Sequence, residues 1–169
     1  MRIEDTDSKR EVAGSVDYVY DSLGWLGIKF DESPKKGGNF GPYIQSERSH
    51  LYKKYVDTLI ESGNAYYAFD TSEELDKMRD DLTAAGIKSA GYTGMVREMM
   101  KNSLNMSSSD VKAKIDAGDS YVVRFKMPRG EDVRFKDEIR GWVVFNTNDL
   151  DDKVIWKSSD GLPTYHMAN

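Results

Sequence analysis

The chain has 169 residues, of which 38% are hydrophobic and 31% are charged, a balance typical of a protein that buries one core or two small ones. No apolar run approaches the roughly 20 residues of a membrane span, and no basic-then-apolar secretory pattern opens the chain, so we expect a cytoplasmic protein with no membrane partner. The lack of cysteine excludes disulfides and thiolate zinc sites, and the net charge of −5 argues against a broadly basic nucleic-acid binder, though not against a local basic groove.

The first predicted element is an amphipathic helix. Ser8 and Glu11 have the Ser-x-x-Glu spacing of a capping box, in which two side chains satisfy backbone N–H groups at a helix start. Apolar residues then recur at helical intervals, namely Val12, Val16, Val19, Leu23 and Leu26. We predict that this helix ends near Gly24 or Gly27.

A glycine-rich loop and a second helix follow. Residues 35–42 contain adjacent glycines without the spacing of a GxGxxG or P-loop motif, so a substrate-side loop and a surface connector are both open interpretations. The second helix is predicted to open at Ser46 and to end at Gly63, with Leu51, Tyr55 and Leu59 on one face.

Residues 65–118 are predicted to form a short strand and then helices. Residues 65–69 are typical of a strand, and Thr71 and Glu74 have capping-box spacing before a helix with Leu75, Met78 and Leu82 inward. Residues 86–109 have little periodicity, so we expect loop with a short helix near 96–100. Another short helix is predicted around residues 111–115, before Gly118.

From residue 120 onward the pattern has a period of two, which indicates β-structure. Tyr121, Val123, Phe125 and Met127 share one face of a predicted strand. Residues 128–130 mark a turn, and 133–135, 142–145 and 154–156 are predicted to be further strands. Helices followed by strands favour a mixed α+β unit over a continuous parallel sheet.

Several motifs together carry a family resemblance. They are Arg2-Ile3-Glu4-Asp5-Thr6-Asp7 and the runs at 41–48, 137–141 and 159–169. These motifs extend essentially from end to end of the chain, and they closely resemble those of bacterial glutamyl-tRNA synthetases, a family of class I aminoacyl-tRNA synthetases. The resemblance implies an α/β fold, in which a partial Rossmann-type nucleotide-binding fold is interrupted by a mixed α+β insertion that binds the acceptor end of tRNA.

The domain organisation follows from this resemblance. We expect residues 1–45 to be part of the catalytic domain, 46–160 to be the inserted connective domain, and 161–169 to return to the catalytic domain. Members of the family also need a His-containing ATP signature and a lysine signature, and neither occurs in these residues. We therefore expect an internal fragment, inactive alone, of an enzyme that uses ATP with Mg²⁺. Zinc-bearing relatives have cysteines in the insertion, so no zinc is expected here.

The candidate glutamate-binding residues lie at the two ends of the chain. A buried α-ammonium group needs a carboxylate partner, and Glu4 follows a predicted strand, where open α/β sheets bind ligands. The alternative is that Glu4 is one of several solvated acids before a helix. Tyr165 and Asn169 are four residues apart and share a helix face, and the resemblance implies that they line the glutamate pocket. The alternative is a buried aromatic residue and a terminal asparagine without a ligand.

Arginines are the candidates for tRNA binding, because the guanidinium group suits contacts with phosphate and sugar. Arg10, Arg48 and Arg140 each match an arginine of the family pattern. Arg10 is expected near the terminal adenosine and Arg140 at the acceptor end. The alternatives are a solvated arginine for Arg10, a solvated residue or interdomain brace for Arg48, and an ion pair with Asp137 for Arg140.

The resemblance implies a two-step reaction. Glutamate attacks the α-phosphate of ATP, and the terminal ribose of tRNA(Glu) then takes the acyl group. Such transfers depend on positioning and charge stabilisation, so we expect no catalytic side chain and no metal ligand within this chain. The implied partners are tRNA(Glu), L-glutamate and ATP, and we expect a monomer. The alternative from another class is a free-standing, non-catalytic RNA-binding module.

Overall fold

The computed structural model describes residues 1–5, 12–87 and 91–168 of the chain. The helices are α1 (Ser15–Trp25), α2 (Ser49–Glu61), α3 (Ser72–Ala84), α4 (Ser108–Asp116) and α5 (Tyr165–Ala168). The strands are β1 (Ala65–Ala68), β2 (Val122–Phe125), β3 (Asp132–Asp137), β4 (Gly141–Asn146) and β5 (Val154–Lys157). Short 3₁₀ turns lie at Ser46–Arg48, Val96–Met99 and Thr147–Asp149. Within the described ranges, none of the helices is long and apolar enough to cross a bilayer.

Two antiparallel sheets contain the named strands. The first has three strands in the order β1-β2-β5, and the second is the β3–β4 hairpin. A parallel pairing lies elsewhere, where Ile3 pairs with Ile44. There the Ile3 N–H donates to the Tyr43 carbonyl at 2.8 Å, and the Gln45 N–H donates to the Ile3 carbonyl at 2.8 Å. The N-terminal segment and residues 43–45 therefore run side by side in the parallel sense of a Rossmann-type sheet.

The three-stranded sheet is buried on both faces. Val56 of α2 packs with Ala65, Val123, Ile155 and Trp156 on one face, and Met167 of α5 joins the same cluster. A second cluster on the other face combines Tyr66, Ala68, Met78, Tyr92 and Val96. Consecutive residues of β1 contribute to opposite clusters because side chains alternate across a strand. The unit formed by residues 46–168 thus contains its own layered core.

Helix α3 confirms its sequence-based prediction in detail. The Thr71 hydroxyl accepts a hydrogen bond from the Glu74 N–H at 3.3 Å, and the Glu74 carboxylate accepts one from the Thr71 N–H at 3.0 Å. Met78 is buried, and Leu75 and Leu82 pack against the same cluster. The capping box and the apolar spacing therefore identified both the start and the inward face of this helix.

Helix α2 departs from its prediction in the face that it buries. The buried residues are Tyr52 and Val56, whereas Leu51 and Tyr55 are exposed. Only Leu59 of the predicted set packs against the core. The Tyr52 hydroxyl accepts a hydrogen bond from the buried side chain of Gln45, and the row of Tyr52 and Val56 faces inward.

Helix α1 begins later than predicted. The capping box of Ser8 and Glu11 lies outside the described residues. The helix starts at Ser15, after Gly14, whose φ of 81° suits glycine, so Val12 precedes the helix. Within the described part of the chain α1 has no buried residue. It ends at Trp25, in agreement with the prediction.

A buried polar network is centred on Asp152. Asp152 is 0% exposed and Arg97 is 4% exposed, and their side chains form an ion pair at 3.0 Å. The Asp152 carboxylate also accepts hydrogen bonds from the Tyr66 hydroxyl at 2.6 Å and from the Met127 N–H at 3.0 Å. Burial raises the pKa of the Tyr66 hydroxyl, so this group remains a donor.

The β3–β4 hairpin makes few contacts with the core. Its side chains on the face of Val133, Phe135 and Phe145 remain between 44% and 48% exposed. The hairpin begins after the turn at residues 128–130 and has its own turn at residues 138–140. It therefore presents both of its faces to the surroundings in this part of the chain.

Candidate functional site

The segment that carries Glu4 is held in place from both sides. The parallel pairing fixes Ile3, and the Asp5 carboxylate accepts hydrogen bonds from the Ser46 N–H at 2.8 Å and the Ser46 hydroxyl at 2.5 Å. Glu4 lies between these anchors, immediately after the paired residue. Its carboxylate lies 3.3 Å from the Arg2 guanidinium, and both side chains are 33% exposed. A partly exposed carboxylate thus follows directly after the residue that makes the parallel bridge.

The glycine-rich loop next to this segment is internally braced. The Tyr43 hydroxyl and the backbone N–H groups of Asn39 and Phe40 donate to the Glu32 carboxylate. The hydrogen bond from Tyr43 is the main reason why the pKa of Glu32 lies below its ordinary value. Arg48 donates to the carbonyls of Pro42 at 2.8 Å and Phe40 at 3.3 Å.

This bracing bears on the interpretations of the loop and of Arg48. One terminal nitrogen of the Arg48 guanidinium donates to both loop carbonyls, so within the described residues Arg48 braces the loop. Next to it lies a cleft of about 520 Å³, lined by Arg2, Glu32 and Tyr43 among others. The loop therefore forms one wall of a charged cleft beside the segment of Glu4.

The return segment at the end of the chain is tied to β5. Pro163 bridges to Trp156, and Thr164 bonds the carbonyls of Ile155 at 2.9 Å and Val154 at 2.5 Å. Gly161, with a φ of 66° that suits glycine, makes the turn that precedes this pairing. The segment then enters α5, so the corner places Tyr165 at a helix start.

The two predicted glutamate-binding residues that the structure describes, Glu4 and Tyr165, are not in direct contact. Tyr165 is 63% exposed and its ring meets that of His166 edge-on at 5.8 Å. Asn169 lies outside the described residues. No hydrogen bond or ring contact joins Glu4 to Tyr165 in the described part of the chain. The assignment of these residues to one pocket stays a prediction.

Arg140 lies in the turn of the β3–β4 hairpin. The Asp137 carboxylate accepts hydrogen bonds from the backbone N–H of Arg140 at 2.7 Å and of Ile139 at 2.8 Å. These bonds hold the pKa of Asp137 below its ordinary value. One carboxylate oxygen of Asp137 thus binds the backbone of the turn, no ion pair with Arg140 is found among the described residues, and the role of Arg140 stays a prediction. The Arg140 guanidinium has no ion-pair partner among the described residues. Arg10, the remaining arginine candidate, lies outside the described residues.

The sequence interpretation missed one feature of the same hairpin. The guanidinium of Arg134 lies 4.7 Å from the ring centroid of Trp142, and Lys136 is paired with Trp142 across the two strands. The period-two pattern of β3 carries the signal, because residues 134 and 136 fall on one face. Trp142 lies on the neighbouring strand, so it can be assigned to this face only once the strand register is known.

The described residues show few features of a nucleotide or metal site. Among the described residues, no group of three or more His, Cys, Asp or Glu side chains could hold a metal ion. The glycine-rich loop turns its acceptors and donors inward, towards Glu32 and Arg48. The described residues therefore do not by themselves form a site that fits ATP with Mg²⁺.

Comparisons with known proteins agree on one family. The family model described as tRNA synthetases class I (E and Q), catalytic domain, matches residues 1–169. The chain is 54% identical to a glutamate–tRNA ligase of Amoebophilus asiaticus and 52% identical to one of Cytophaga hutchinsonii. Both alignments cover 100% of this chain, but 33% and 32% of those relatives. The chain thus spans about a third of the length of the curated relatives it matches.

Solved structures give the same result at the level of the fold. A crystal structure of a glutamate tRNA ligase from Elizabethkingia meningosepticum, in complex with its amino acid, has a TM-score of 0.92 at 45% identity. It is matched over 99% of this chain and 33% of that chain. A glutamate-tRNA synthetase from Elizabethkingia anophelis has a TM-score of 0.93 at 45% identity, over 99% of this chain and 34% of that one.

Proposed function

Because this chain belongs to the class I tRNA synthetases (E and Q), as part of their catalytic domain, we propose that it forms the glutamate-binding and acceptor-end-binding part of a glutamate–tRNA ligase. The whole enzyme would activate L-glutamate with ATP and Mg²⁺ and transfer it to tRNA(Glu). It would act in the cytoplasm, as a monomer. Residues 46–160 would be the acceptor-binding insertion, and residues 1–45 and 161–169 would belong to the catalytic domain.

The anchored position of Glu4 is the observation that carries this proposal. A carboxylate held between a parallel strand pairing and the Asp5–Ser46 clamp has a defined direction. The α-ammonium group of an amino acid loses its hydration on binding, and a preplaced carboxylate offsets this cost with a charge-assisted hydrogen bond. Arg2 forms an ion pair with Glu4 at 3.3 Å. The substrate's ammonium group would replace or join Arg2 at the same carboxylate.

The other proposed site residues follow the family pattern. Tyr165 and Asn169 would line the glutamate pocket, with the Tyr165 ring in its exposed position at the start of α5. Arg10 and Arg140 would contact the tRNA. For Arg48 we propose an indirect role in the same binding, because its guanidinium braces the loop through Phe40 and Pro42.

These residues bind and orient, and they leave the bond-making chemistry to the substrates. ATP, when bound to the whole enzyme, supplies the phosphate that activates the glutamate carboxylate. Holding the ammonium group at Glu4 fixes the position of the substrate carboxylate. Positioning of this kind accounts for a large share of the rate in transfer reactions. We expect this chain by itself to form no glutamyl-tRNA.

Calorimetry with L-glutamate tests the amino-acid part of the proposal. Glu4→Gln should weaken binding by about 10-fold to 100-fold, since a hydrogen bond to a charged group contributes about 1.5–3 kcal/mol. Glu61→Gln is the matched control, because Glu61 is exposed at the end of α2 and should leave binding unchanged. Equal affinity of Glu4→Gln and the unaltered chain would refute the role of Glu4.

A second candidate function, a free-standing RNA-binding module, is favoured by one observation. Residues 46–168 have two core clusters of their own, to which the Glu4 segment contributes no residue. Titration with a minihelix of the tRNA(Glu) acceptor stem, at two salt concentrations and against an unrelated minihelix, separates the two candidates. The module predicts binding that Arg140→Ala weakens and Glu4→Ala leaves unchanged, together with no affinity for glutamate.

A further inference from the structure

A cleft with apolar walls is lined by residues of α4, β1 and the end of α2. Its volume of about 470 Å³ lies within the range of about 300–1,000 Å³ that small-molecule sites in proteins have. The buried Tyr66 of β1 lines it, together with four apolar side chains that remain partly exposed, Ile60, Leu104, Val111 and Ile115. Helix α4 has no buried residue, so its two apolar side chains at the cleft are not sealed into a core. We call this space the α4 cleft.

Hydrogen bonds hold the walls of the α4 cleft in place. The Ser103 N–H donates to the Tyr67 carbonyl at 2.9 Å, and the Tyr67 N–H donates to the Ser103 hydroxyl at 3.1 Å. The next residue, Leu104, is fixed as well, because its N–H donates at 3.0 Å to the side chain of Asn102, which is fully buried. A ligand would therefore meet walls that are already ordered, which lowers the entropic cost of binding.

One unpaired cation lies at the border of the α4 cleft. A second, more polar cleft of about 620 Å³ shares Gly63, Leu104 and Lys126 with it. Apart from Lys126, each charged side chain that lines the two clefts is paired with an opposite charge in the described part of the chain. The pairs are Lys112 with Asp116 at 2.7 Å, Arg129 with Glu98 at 2.8 Å, and Arg97 with Asp152 at 3.0 Å. The Lys126 side chain has no ion pair or hydrogen bond among the described residues, so the two clefts keep one net positive charge.

We propose that the α4 cleft binds a small amphipathic carboxylate. Its hydrocarbon part would lie against Leu104, Val111 and Ile115, and its carboxylate would accept a charge-assisted hydrogen bond from the Lys126 ammonium group. The backbone of Lys126 is fixed for this role, because its N–H donates to the Asn64 carbonyl at 2.8 Å. The site contains none of the residues proposed above for glutamate or tRNA, so it is a separate binding site.

The number of free charges favours a ligand with a single negative group. A nucleic acid presents a row of phosphates and is held by several cations, whereas the two clefts offer one unpaired cation within the described residues. A third cleft, of about 300 Å³ and lined by α3, shows the contrast. Its lysines are both occupied, since Lys77 pairs with Asp81 and Lys101 pairs with Glu74. Only the α4 cleft, among these three in the described residues, joins apolar walls to an unpaired cation.

NMR of a methyl-labelled chain tests the site, with sodium octanoate below its micelle-forming concentration as the probe. We expect saturable shifts of the methyl signals of Leu104, Val111 and Ile115. The methyl signals of Ile139, which is 95% exposed in the hairpin turn, should not move. Absence of saturable shifts at millimolar octanoate would overturn the proposal, and so would shifts of equal size at Ile139.

Changes in the probe test the ligand class without changing the protein. Butanoate has a shorter hydrocarbon part and should bind about 10-fold to 200-fold more weakly than octanoate, because each buried methylene contributes up to about 4-fold. Uncharged 1-octanol should bind about 2-fold to 5-fold more weakly than octanoate, which is the contribution of an exposed ion pair. Inorganic phosphate should not displace octanoate. Equal affinity for octanol and octanoate, or displacement by phosphate, would refute the assignment to an amphipathic carboxylate.

Substitutions measure the two parts of the site separately. Lys126→Gln should weaken octanoate binding by about 2-fold to 5-fold and leave octanol binding unchanged. Lys136→Gln is the matched control, because Lys136 is an exposed lysine of β3 that lines neither cleft. Ile115→Ala should weaken both ligands by about 3-fold to 10-fold, and Leu104→Ala, in a loop, repeats this test outside the helix. Equal effects of Lys126→Gln and Lys136→Gln would contradict the role of Lys126.

Sedimentation of the chain without ligand tests the other occupant that apolar walls could take, a second copy of the chain. We expect no self-association that depends on this cleft. If the chain self-associates and Leu104→Ala abolishes it, a second copy occupies the cleft and the proposal is overturned. These experiments use neither glutamate nor RNA, so their outcome is independent of the proposed function.

Discussion

The ion pair of Arg97 and Asp152 offers the sharpest test of the fold. Asp152→Ala removes a carboxylate that is 0% exposed and that accepts bonds from Tyr66, Arg97 and Met127. Of its acceptors among the described residues, Arg97 then keeps the Met127 carbonyl, 2.8 Å from its buried guanidinium. Removal of one partner of a buried ion pair costs about 3–5 kcal/mol, because the other charge is left without compensation.

This loss is a large share of the stability of a domain, which is about 5–15 kcal/mol in all. With a urea m-value of about 2 kcal/mol/M, a loss of about 4 kcal/mol lowers the unfolding midpoint by about 2 M. Urea unfolding followed by circular dichroism measures it. The matched control is Asp116→Ala, whose partner Lys112 is 75% exposed in its side chain, and which should cost less than about 1 kcal/mol.

A double-mutant cycle with Arg97→Met shows whether the charge pair is the cause. The two changes together should cost less than the sum of the single changes by at least about 1 kcal/mol, because the double variant leaves no unpaired charge. A loss below about 1 kcal/mol for Asp152→Ala, or additive losses in the cycle, would refute the view that this network is dry and coupled.

Three further predictions concern local structure. Thr71→Ala removes the cap of α3 and should lower the free energy of unfolding by about 1 kcal/mol in urea titrations. Thr83→Ala removes only a hydroxyl bonded within the same helix, and should change this free energy by about a few tenths of a kcal/mol. The pKa of Asp137 is lowered on folding, so the ionised carboxylate stabilises the hairpin turn above the ordinary Asp pKa. This stabilisation disappears as the pH falls through the lowered value. The amide signals of Ile139 and Arg140 should titrate in that acid range by NMR, and Asp137→Asn should abolish the transition. Gly38→Ala should displace the Glu32–Tyr43 pair, because an added Cβ would clash with both side chains at a φ of 149°. A lower pKa of Tyr43 by ultraviolet titration would report this, while Gly24→Ala, within α1 and with open space for its Cβ, should leave the Tyr43 titration unchanged.

Much of the secondary structure could be predicted from local patterns. The Thr71–Glu74 capping box and the spacing of Leu75, Met78 and Leu82 identified α3, because caps and helical periodicity depend on residues at most a few positions apart. The same holds for the period-two strands after residue 120 and for the turn around Gly130. The face of α2 was not predicted correctly, since the bond between Tyr52 and the buried Gln45 involves the chain before the helix.

The candidate site, like the secondary structure, was predicted only in part from local patterns in the sequence. The sequence motifs identify Glu4 and Arg140 as candidate site residues. They do not show which partners the neighbouring side chains bind. Arg48 braces a loop, and Asp137 binds backbone N–H groups in place of the Arg140 side chain. Local spacing leaves such alternatives open because one guanidinium or carboxylate has several partners within reach.

The sequence by itself determined the family, the order of the elements and the absence of disulfides and thiolate metal sites. Only the tertiary structure decided that Asp152 meets Arg97, 55 residues away, and that Arg134 covers the ring of Trp142. Both contacts depend on strand register and on the packing of distant segments. A one-residue shift of register would turn Trp142 to the other face of the hairpin, and no local pattern in the chain reports that register.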